Sequence, residues 1–219
     1  MVGYPCRNPK EMKMKRILIP ALTLMVGAMF VVNGCGSSDP ETTPNGTGGS
    51  TAKTIEDLVP KANDIPGWNL DSSNPKTAGQ LAAFGKTKDD AEALIDGSAA
   101  AFFKAPYSSV LAWQNYSNSD GYTVDLHIWQ LTTADLASAL FTELAVDYPL
   151  YANNVWAALP GVGDEARITN TGTTWWINFR KGAYIVEVSL DKPPLGSEET
   201  DTVGRDVAQS YAAELVKRF

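Results

Sequence analysis

The hydrophobic pattern near the N terminus predicts an export signal. Residues 17–32 form a 16-residue apolar run without a charged side chain, and a basic segment that ends at Lys15 and Arg16 precedes it. As an α-helix the run would span roughly 24 Å, less than the about 30 Å hydrocarbon core of a bilayer. A basic head and a short apolar core are typical of a cleaved secretory signal peptide. A retained membrane anchor is the alternative.

The next segment has the composition of a flexible tether. Fourteen of the 18 residues from Gly36 to Lys53 are Gly, Ser, Thr, Pro or Asn, and none is a large apolar residue. Such a chain buries too little surface to offset the entropy lost on ordering. No repeat and no second tether follow, so residues 54–219 are predicted to form one domain of 166 residues. That length is enough for a single hydrophobic core.

Apolar residues at helical spacing predict three helices in this domain. The first begins after Thr87 and continues to Phe102. The second begins near Thr132 and ends before Pro149, and the third occupies 201–219. In each helix the apolar stripe is expected to face the core.

Alternating apolar and polar residues predict the strands. The clearest segments are 109–116, 122–131, 164–170, 175–180 and 183–190. Lys181-Gly182 reads as a two-residue hairpin turn, which would pair Phe179 with Tyr184. Weaker strands are expected at 68–70 and 80–82. The sequence therefore predicts an α+β fold, a single mostly antiparallel sheet of about five to six strands packed with three helices.

Composition excludes several classes of protein. The chain has two Cys and one His, which is too few for a zinc finger, a Cys/His metal cluster or a disulfide scaffold. Its formal charge of −7 makes it a poor binder of nucleic acid, because phosphates would be repelled. Residues 118–121 superficially resemble a calcium loop, but Tyr116 and His127 occupy the first and twelfth ligand positions. We expect no metal site and no cofactor.

The segment Val32-Asn33-Gly34-Cys35 resembles the lipobox of bacterial lipoproteins. The resemblance implies that residues 1–34 are a signal peptide cleaved before Cys35, whose thiol is acylated and anchors the chain in a membrane. Several acyl chains hold a protein stably at a bilayer. Gly36, where inner-membrane lipoproteins carry Asp, implies the outer membrane, with the domain facing the periplasm. A cleaved signal without lipid remains an alternative.

Short motifs in the domain also carry a resemblance. They are Ile65-Pro66-Gly67-Trp68, Ala93–Ala99, Tyr122–Leu131, Gly161–Ala166 and Ile177–Tyr184. This series looks like an uncharacterised family of exported bacterial lipoproteins, and less specifically is similar to the PsbP/Mog1-like sandwich. The resemblance implies an antiparallel sheet between helices and an exported location, and it carries over no catalytic residues. From its composition, Gly161–Ala166 is expected to be a turn leading into a strand.

The candidate chemistry lies on one face of the predicted sheet. Asp125 and His127 share that face, and a hydrolase would need a nucleophile such as Ser109 or Ser189 beside them. The chain has no Gly-x-Ser-x-Gly segment, which disfavours this reading. Aromatic side chains mixed with carboxylates and amides suit a ligand surface, unless helices cover them and make them core. The possible ligand-binding face comprises Trp113, Asp125, His127, Trp129, Trp176, Asn178 and Glu187.

The expected function is that of a cell-envelope lipoprotein with a non-catalytic binding or accessory domain. The expected partners are the membrane, through the lipid on Cys35, and another envelope protein. A small apolar or glycan ligand is a less favoured partner. An exported hydrolase using His127 and Asp125, and a structural component of the envelope, are the alternatives.

Overall fold

The computed structural model describes residues 53–74, 82–95, 99–147, 154–191 and 201–219. The predicted signal peptide, Cys35 and the tether as far as residue 52 lie outside the described residues. The described part of the chain is α+β, as the sequence predicts, and it is built on one antiparallel sheet.

Eight strands and five α-helices are present in the described ranges. The strands are β1 (Trp68–Leu70), β2 (Ala83–Gly85), β3 (Ser109–Asn118), β4 (Thr123–Leu131), β5 (Ala157–Ala158), β6 (Glu165–Asn170), β7 (Thr174–Lys181) and β8 (Tyr184–Asp191). The helices are α1 (Ile55–Leu58), α2 (Lys88–Ile95), α3 (Ala100–Phe103), α4 (Ala134–Asp147) and α5 (Asp201–Leu215), and a 3₁₀ turn covers Val216–Arg218. None of these helices has both the length and the apolar character needed to cross a bilayer.

The prediction of five to six strands and three helices was too low. The five long strands lie where alternation predicts them, and the weak strand expected at 68–70 is confirmed as β1. β2 and β5 are further strands of three and two residues at the sheet edges. Segments this short carry too few residues for a periodic pattern. Of the weak strand expected at 80–82, residues 80 and 81 lie outside the described residues, and β2 occupies 83–85. The first predicted helix is represented by two helices, α2 and α3, and α1 is a single additional turn.

The sheet runs in the order β3-β4-β8-β7-β6-β5, and β1 and β2 pair with different stretches of β3. The predicted turn between β7 and β8 was wrong by one residue: Gly182 and Ala183 form the turn, and Lys181 pairs with Tyr184. Gly182 has a φ of +54°, which suits the first central position of a type II′ hairpin turn. Phe179 consequently pairs with Val186, two residues from the expected partner. Because side chains alternate with a period of two, the faces of both strands are unchanged.

Helices pack on both faces of the sheet. The more apolar face carries Val124, Leu126 and Ile128 of β4 with the matching residues of β7 and β8, and α1 and α5 cover it. In this layer Tyr211 of α5 meets Trp68 edge-to-face, with ring centroids 4.9 Å apart. Helices α2, α3 and α4 pack on the second face, which carries the candidate residues.

Residues 160–164 form a turn before β6, as their composition predicts. The carboxylate of Asp164 accepts hydrogen bonds from the backbone N–H of Gly182, at 2.8 Å, and from the ammonium of Lys181, at 2.9 Å. The backbone hydrogen bond from Gly182, followed by the contact with Lys181, lowers the pKa of Asp164. The carboxylate thus ties this turn to the β7–β8 turn.

Two glycines in this turn give a matched pair of substitutions. Gly161 and Gly163 both have positive φ, +86° and +64°, but only at Gly163 would a Cβ press against the Arg180 carbonyl oxygen. Positive φ alone costs an alanine about 1–2 kcal/mol, and forced overlap adds about 1–3 kcal/mol. We therefore expect Gly163→Ala to lower the free energy of unfolding by about 2–5 kcal/mol, and Gly161→Ala by about 1–2 kcal/mol, in urea titrations. Equal losses in the two variants would contradict the close approach at Gly163.

Candidate functional site

The seven candidate side chains lie on the same face of the sheet. The strand register places Trp113, His127, Glu187, Asn178 and Arg167 in one row that crosses β3, β4, β8, β7 and β6. This row contains four of the seven predicted residues and adds Arg167, which the sequence analysis missed.

The two neighbouring rows differ sharply in polarity. On one side Leu111, Trp129 and Ile185 form an apolar row, and all three are fully buried. On the other side Asp125 and the half-buried Trp176 share a row with Asn115, Ser189 and Thr169. The second face therefore changes from core to polar surface within three rows.

Helices α3 and α4 bury the apolar side of this face. Trp129 is fully buried, and its ring stacks on Phe102 of α3 with centroids 3.8 Å apart and planes 9° from parallel. Leu140 and Phe141 of α4 belong to the same apolar cluster. Trp129 is therefore part of the core, and so is Trp113, which is 5% exposed and belongs to the same cluster. This is the alternative that the sequence left open for the tryptophans.

His127 lies between two carboxylates. Its Nδ1 is 3.3 Å from Oε2 of Glu187, and its Nε2 is 3.4 Å from Oδ1 of Asp125. The same Glu187 oxygen accepts a 2.7 Å hydrogen bond from the indole N–H of Trp129. We call Trp113, Asp125, His127, Trp129 and Glu187 the polar cluster.

Asp125 is held in place from two sides. The indole N–H of Trp113 donates to its Oδ1, and the side-chain amide of Asn115 donates to the same atom at 3.2 Å. Since the Asp125 side chain is still 39% exposed, it connects the polar cluster to solvent. Asn178 lies opposite Glu187 and is fully buried, and neither of its side-chain amide atoms has a hydrogen-bond partner in the structure.

The two carboxylates keep His127 protonated. Burial lowers the pKa of His127, but the hydrogen bonds and charges of Asp125 and Glu187 outweigh burial and raise that pKa to about 10. For Asp125, burial raises the pKa, but the contacts with His127 and the hydrogen bonds from Trp113 and Asn115 lower it overall. At neutral pH the cluster is therefore an imidazolium between carboxylates.

This arrangement does not match a hydrolytic triad. A general base needs one unprotonated nitrogen aimed at a nucleophile, whereas both nitrogens of His127 face carboxylates. Of the two serines considered, Ser109 donates its hydroxyl to the Phe102 carbonyl at 2.8 Å, and Ser189 lies opposite Asp125 on β8. The geometry favours a structural and electrostatic role for His127.

A cleft of about 550 Å³ opens on this face of the sheet, beside Asn115 and Asp125. Trp113 and Asp125 line it, together with residues that the sequence analysis did not select. These include Asp71 after β1, Asp191 at the end of β8, and Leu94 and Ile95 at the end of α2. Trp176 shares the face and lies outside the cleft lining.

Neither a metal-binding arrangement of side chains nor similarity to known proteins indicates the function of this site. Among the described residues, no group of three or more His, Cys, Asp or Glu side chains is arranged to hold a metal ion. Comparison of the chain with protein-family models, with curated proteins and with solved structures finds no match. The assignment of a function therefore depends on the sequence motifs and on the geometry of the site.

Proposed function

We propose that this chain is a cell-envelope lipoprotein with a non-catalytic binding or accessory domain. The observation that carries the proposal is the succession of a basic head, a short apolar core, Gly34-Cys35 and a tether rich in small polar residues. Cleavage before Cys35 would leave a protein with a net charge of −11, tethered by its acylated N terminus. By the lipobox resemblance we place it in the outer membrane, facing the periplasm.

Lys53, the first described residue, and the cleft contact opposite ends of β8. The backbone carbonyl of Lys53 accepts a hydrogen bond from the hydroxyl of Tyr184, at the start of β8, at 3.4 Å. Asp191, in the cleft lining, ends the same strand. At roughly 3.4 Å per residue the strand separates these two residues by about 24 Å. Asp191 and the cleft thus lie at the end of β8 opposite to the contact with Lys53.

The polar cluster supports a non-catalytic role. His127 is the single histidine of the chain, and each of its ring nitrogens lies within 3.4 Å of a carboxylate oxygen. It stays cationic at neutral pH. A partner protein of the envelope remains the favoured ligand class, with a small molecule as the other. An antiparallel sheet with helices on both faces also supports our assignment of the domain to the PsbP/Mog1-like sandwiches.

Lipid attachment is tested by a pair of cysteine substitutions. In cells grown with an alkyne analogue of palmitate, we expect the wild-type protein to be labelled and to lack residues 1–34. Cys35→Ser should lose the label and keep the signal peptide, because acylation precedes cleavage in the lipoproteins that this segment resembles. Cys6→Ser changes the only other cysteine of the chain and should behave as the wild type. Labelling of Cys35→Ser would refute the proposal.

A further inference from the structure

Residues 54–64 follow directly on the tether and form a strap that packs on the more apolar face of the sheet. The strap contains α1, and its buried apolar side chains are Ile55, Leu58 and Val59. Within the described ranges, a single hydrogen bond between backbone groups joins the strap to the rest of the chain. It runs from the N–H of Asn63 to the carbonyl of Trp68, where the strap meets β1. Side chains therefore hold most of the strap in place.

Arg218, in the 3₁₀ turn that follows α5, makes most of these side-chain contacts. Its guanidinium donates hydrogen bonds of 3.0 Å to the backbone carbonyls of Asp57 and Leu58. It also donates one of 3.5 Å to the carbonyl of Val59 and forms a 2.9 Å ion pair with Asp64. The last carbonyls of a helix have no partner within it, so the guanidinium also caps α1. One side chain thus contacts four positions of the strap.

Two further contacts complete the attachment. The buried hydroxyl of Tyr116, on β3, donates a 2.7 Å hydrogen bond to the carbonyl of Pro60 in the strap. The ammonium of Lys53, the tether residue next to the strap, donates to the backbone carbonyl of Arg218. The turn that holds the strap therefore also holds the end of the tether.

We propose that the strap opens as a unit and that Arg218 is its latch. Ladders of backbone hydrogen bonds join the strands of the sheet, whereas side chains hold the strap, so the strap should open at a lower free energy than the sheet. Opening would add 11 residues to the tether, at most about 40 Å of extended chain, without separating any strands.

The consequence of this opening is a longer reach for the domain. A lipid-anchored domain with an open strap could meet a partner farther from the membrane. This effect on reach rests on the proposed function, whereas the opening itself does not depend on a lipid at Cys35. Failure of the lipid labelling would therefore leave the strap intact as a proposal, and the experiment below tests the strap alone.

Hydrogen exchange of the full-length protein in detergent, at urea concentrations below the unfolding transition, tests whether the strap opens separately. The reporters are the hydrogen-bonded amides of Asp57, Asn63 and Asp64, which are compared with the amides of β4. We expect faster exchange and a weaker dependence on urea in the strap, because a partial opening exposes less surface than global unfolding. Equal rates and equal urea dependence would overturn the proposal.

A core substitution outside the strap gives a second test of separate opening. Trp129 lies in the cluster on the other face of the sheet, which stays packed when the strap opens. Trp129→Phe should therefore speed exchange in β4, which requires global unfolding, and leave exchange in the strap unchanged. Equal acceleration in both places would show that the strap opens only when the whole domain unfolds.

A substitution of Arg218 tests the latch. Arg218→Gln should speed exchange of the strap amides at least about tenfold, equivalent to about 1.4 kcal/mol. The matched control is Lys217→Gln, which changes an exposed cation in the same turn whose ion-pair partner is Glu214 of α5. The control should exchange as the wild type does. Unchanged strap exchange in Arg218→Gln, or equal acceleration in the control, would refute the latch.

Discussion

Replacing His127 with glutamine is expected to lower the free energy of unfolding by about 3–5 kcal/mol, the usual cost of removing one partner from a buried charge network. The substitution removes the cation that lies within 3.4 Å of both Asp125 and Glu187. Two carboxylates would then face each other without a counter-charge, one of them on the 7% exposed Glu187. Urea titration at pH 7 measures the change.

A double-variant cycle separates this charge effect from a loss of packing. Glu187→Gln removes one carboxylate, and the combination with His127→Gln leaves neither a cation nor the more buried anion. We expect the double variant to be more stable than the sum of the two single losses predicts. A His127→Gln protein as stable as the wild type would contradict the charge network, and strict additivity would assign the loss to packing alone.

The stability of the wild type should also depend on pH in a defined direction. The pKa of His127 rises from an ordinary 6.5 to about 10 in the folded state, so its stabilisation is fully present below pH 6.5. It is lost as the pH rises through 10, with a slope of up to about 1.4 kcal/mol per pH unit. The His127→Gln variant should lack this loss between pH 6.5 and 10. Identical pH profiles for the two proteins would show that His127 is not the group responsible.

Trp129→Ala is expected to cost about 3–5 kcal/mol, as is usual for deletion of a buried tryptophan. The substitution removes the stack on Phe102 and leaves Glu187 without the indole donor. Trp129→Phe keeps an aromatic ring on Phe102 and removes only the N–H, so its expected loss is about 1–3 kcal/mol.

The half-buried Trp176 provides the comparison for this prediction. Trp176→Ala removes a side chain from the same face of the sheet and outside the core cluster around Trp129, so a smaller loss is expected. Thermal unfolding of the three variants gives the ranking. A Trp129→Ala protein that unfolds at the wild-type temperature would contradict the placement of Trp129 in the core.

Strand alternation alone predicted which residues share a face. The period of two in β4, β7 and β8 placed Trp129, His127, Glu187 and Asn178 together, and the structure confirms this. The partners across the strands were not predictable in the same way. A shift of two residues in the β7–β8 register preserves the faces and changes every pair, so that Val186 and not Tyr184 lies opposite Phe179.

The hydrophobic pattern of the sequence did not predict the cleft. Asp71 reaches it because β1 pairs with the far end of β3, a contact between segments more than 40 residues apart. Leu94 reads as an ordinary member of a helical stripe, and only the packing of α2 on the sheet brings it beside Trp113. Local periodicity contains no information on such long-range contacts. Of the edge strands, β1 was predicted exactly, whereas β2 and β5 were not, for the same reason.

The intact mass of protein purified from its native membrane tests the proposed function most directly. We predict a chain that begins at Cys35 and carries the additional mass of a diacylglycerol group, with further acylation at its N terminus. A mass that includes residues 1–34, or one that shows an unmodified sulfur at Cys35, would contradict it.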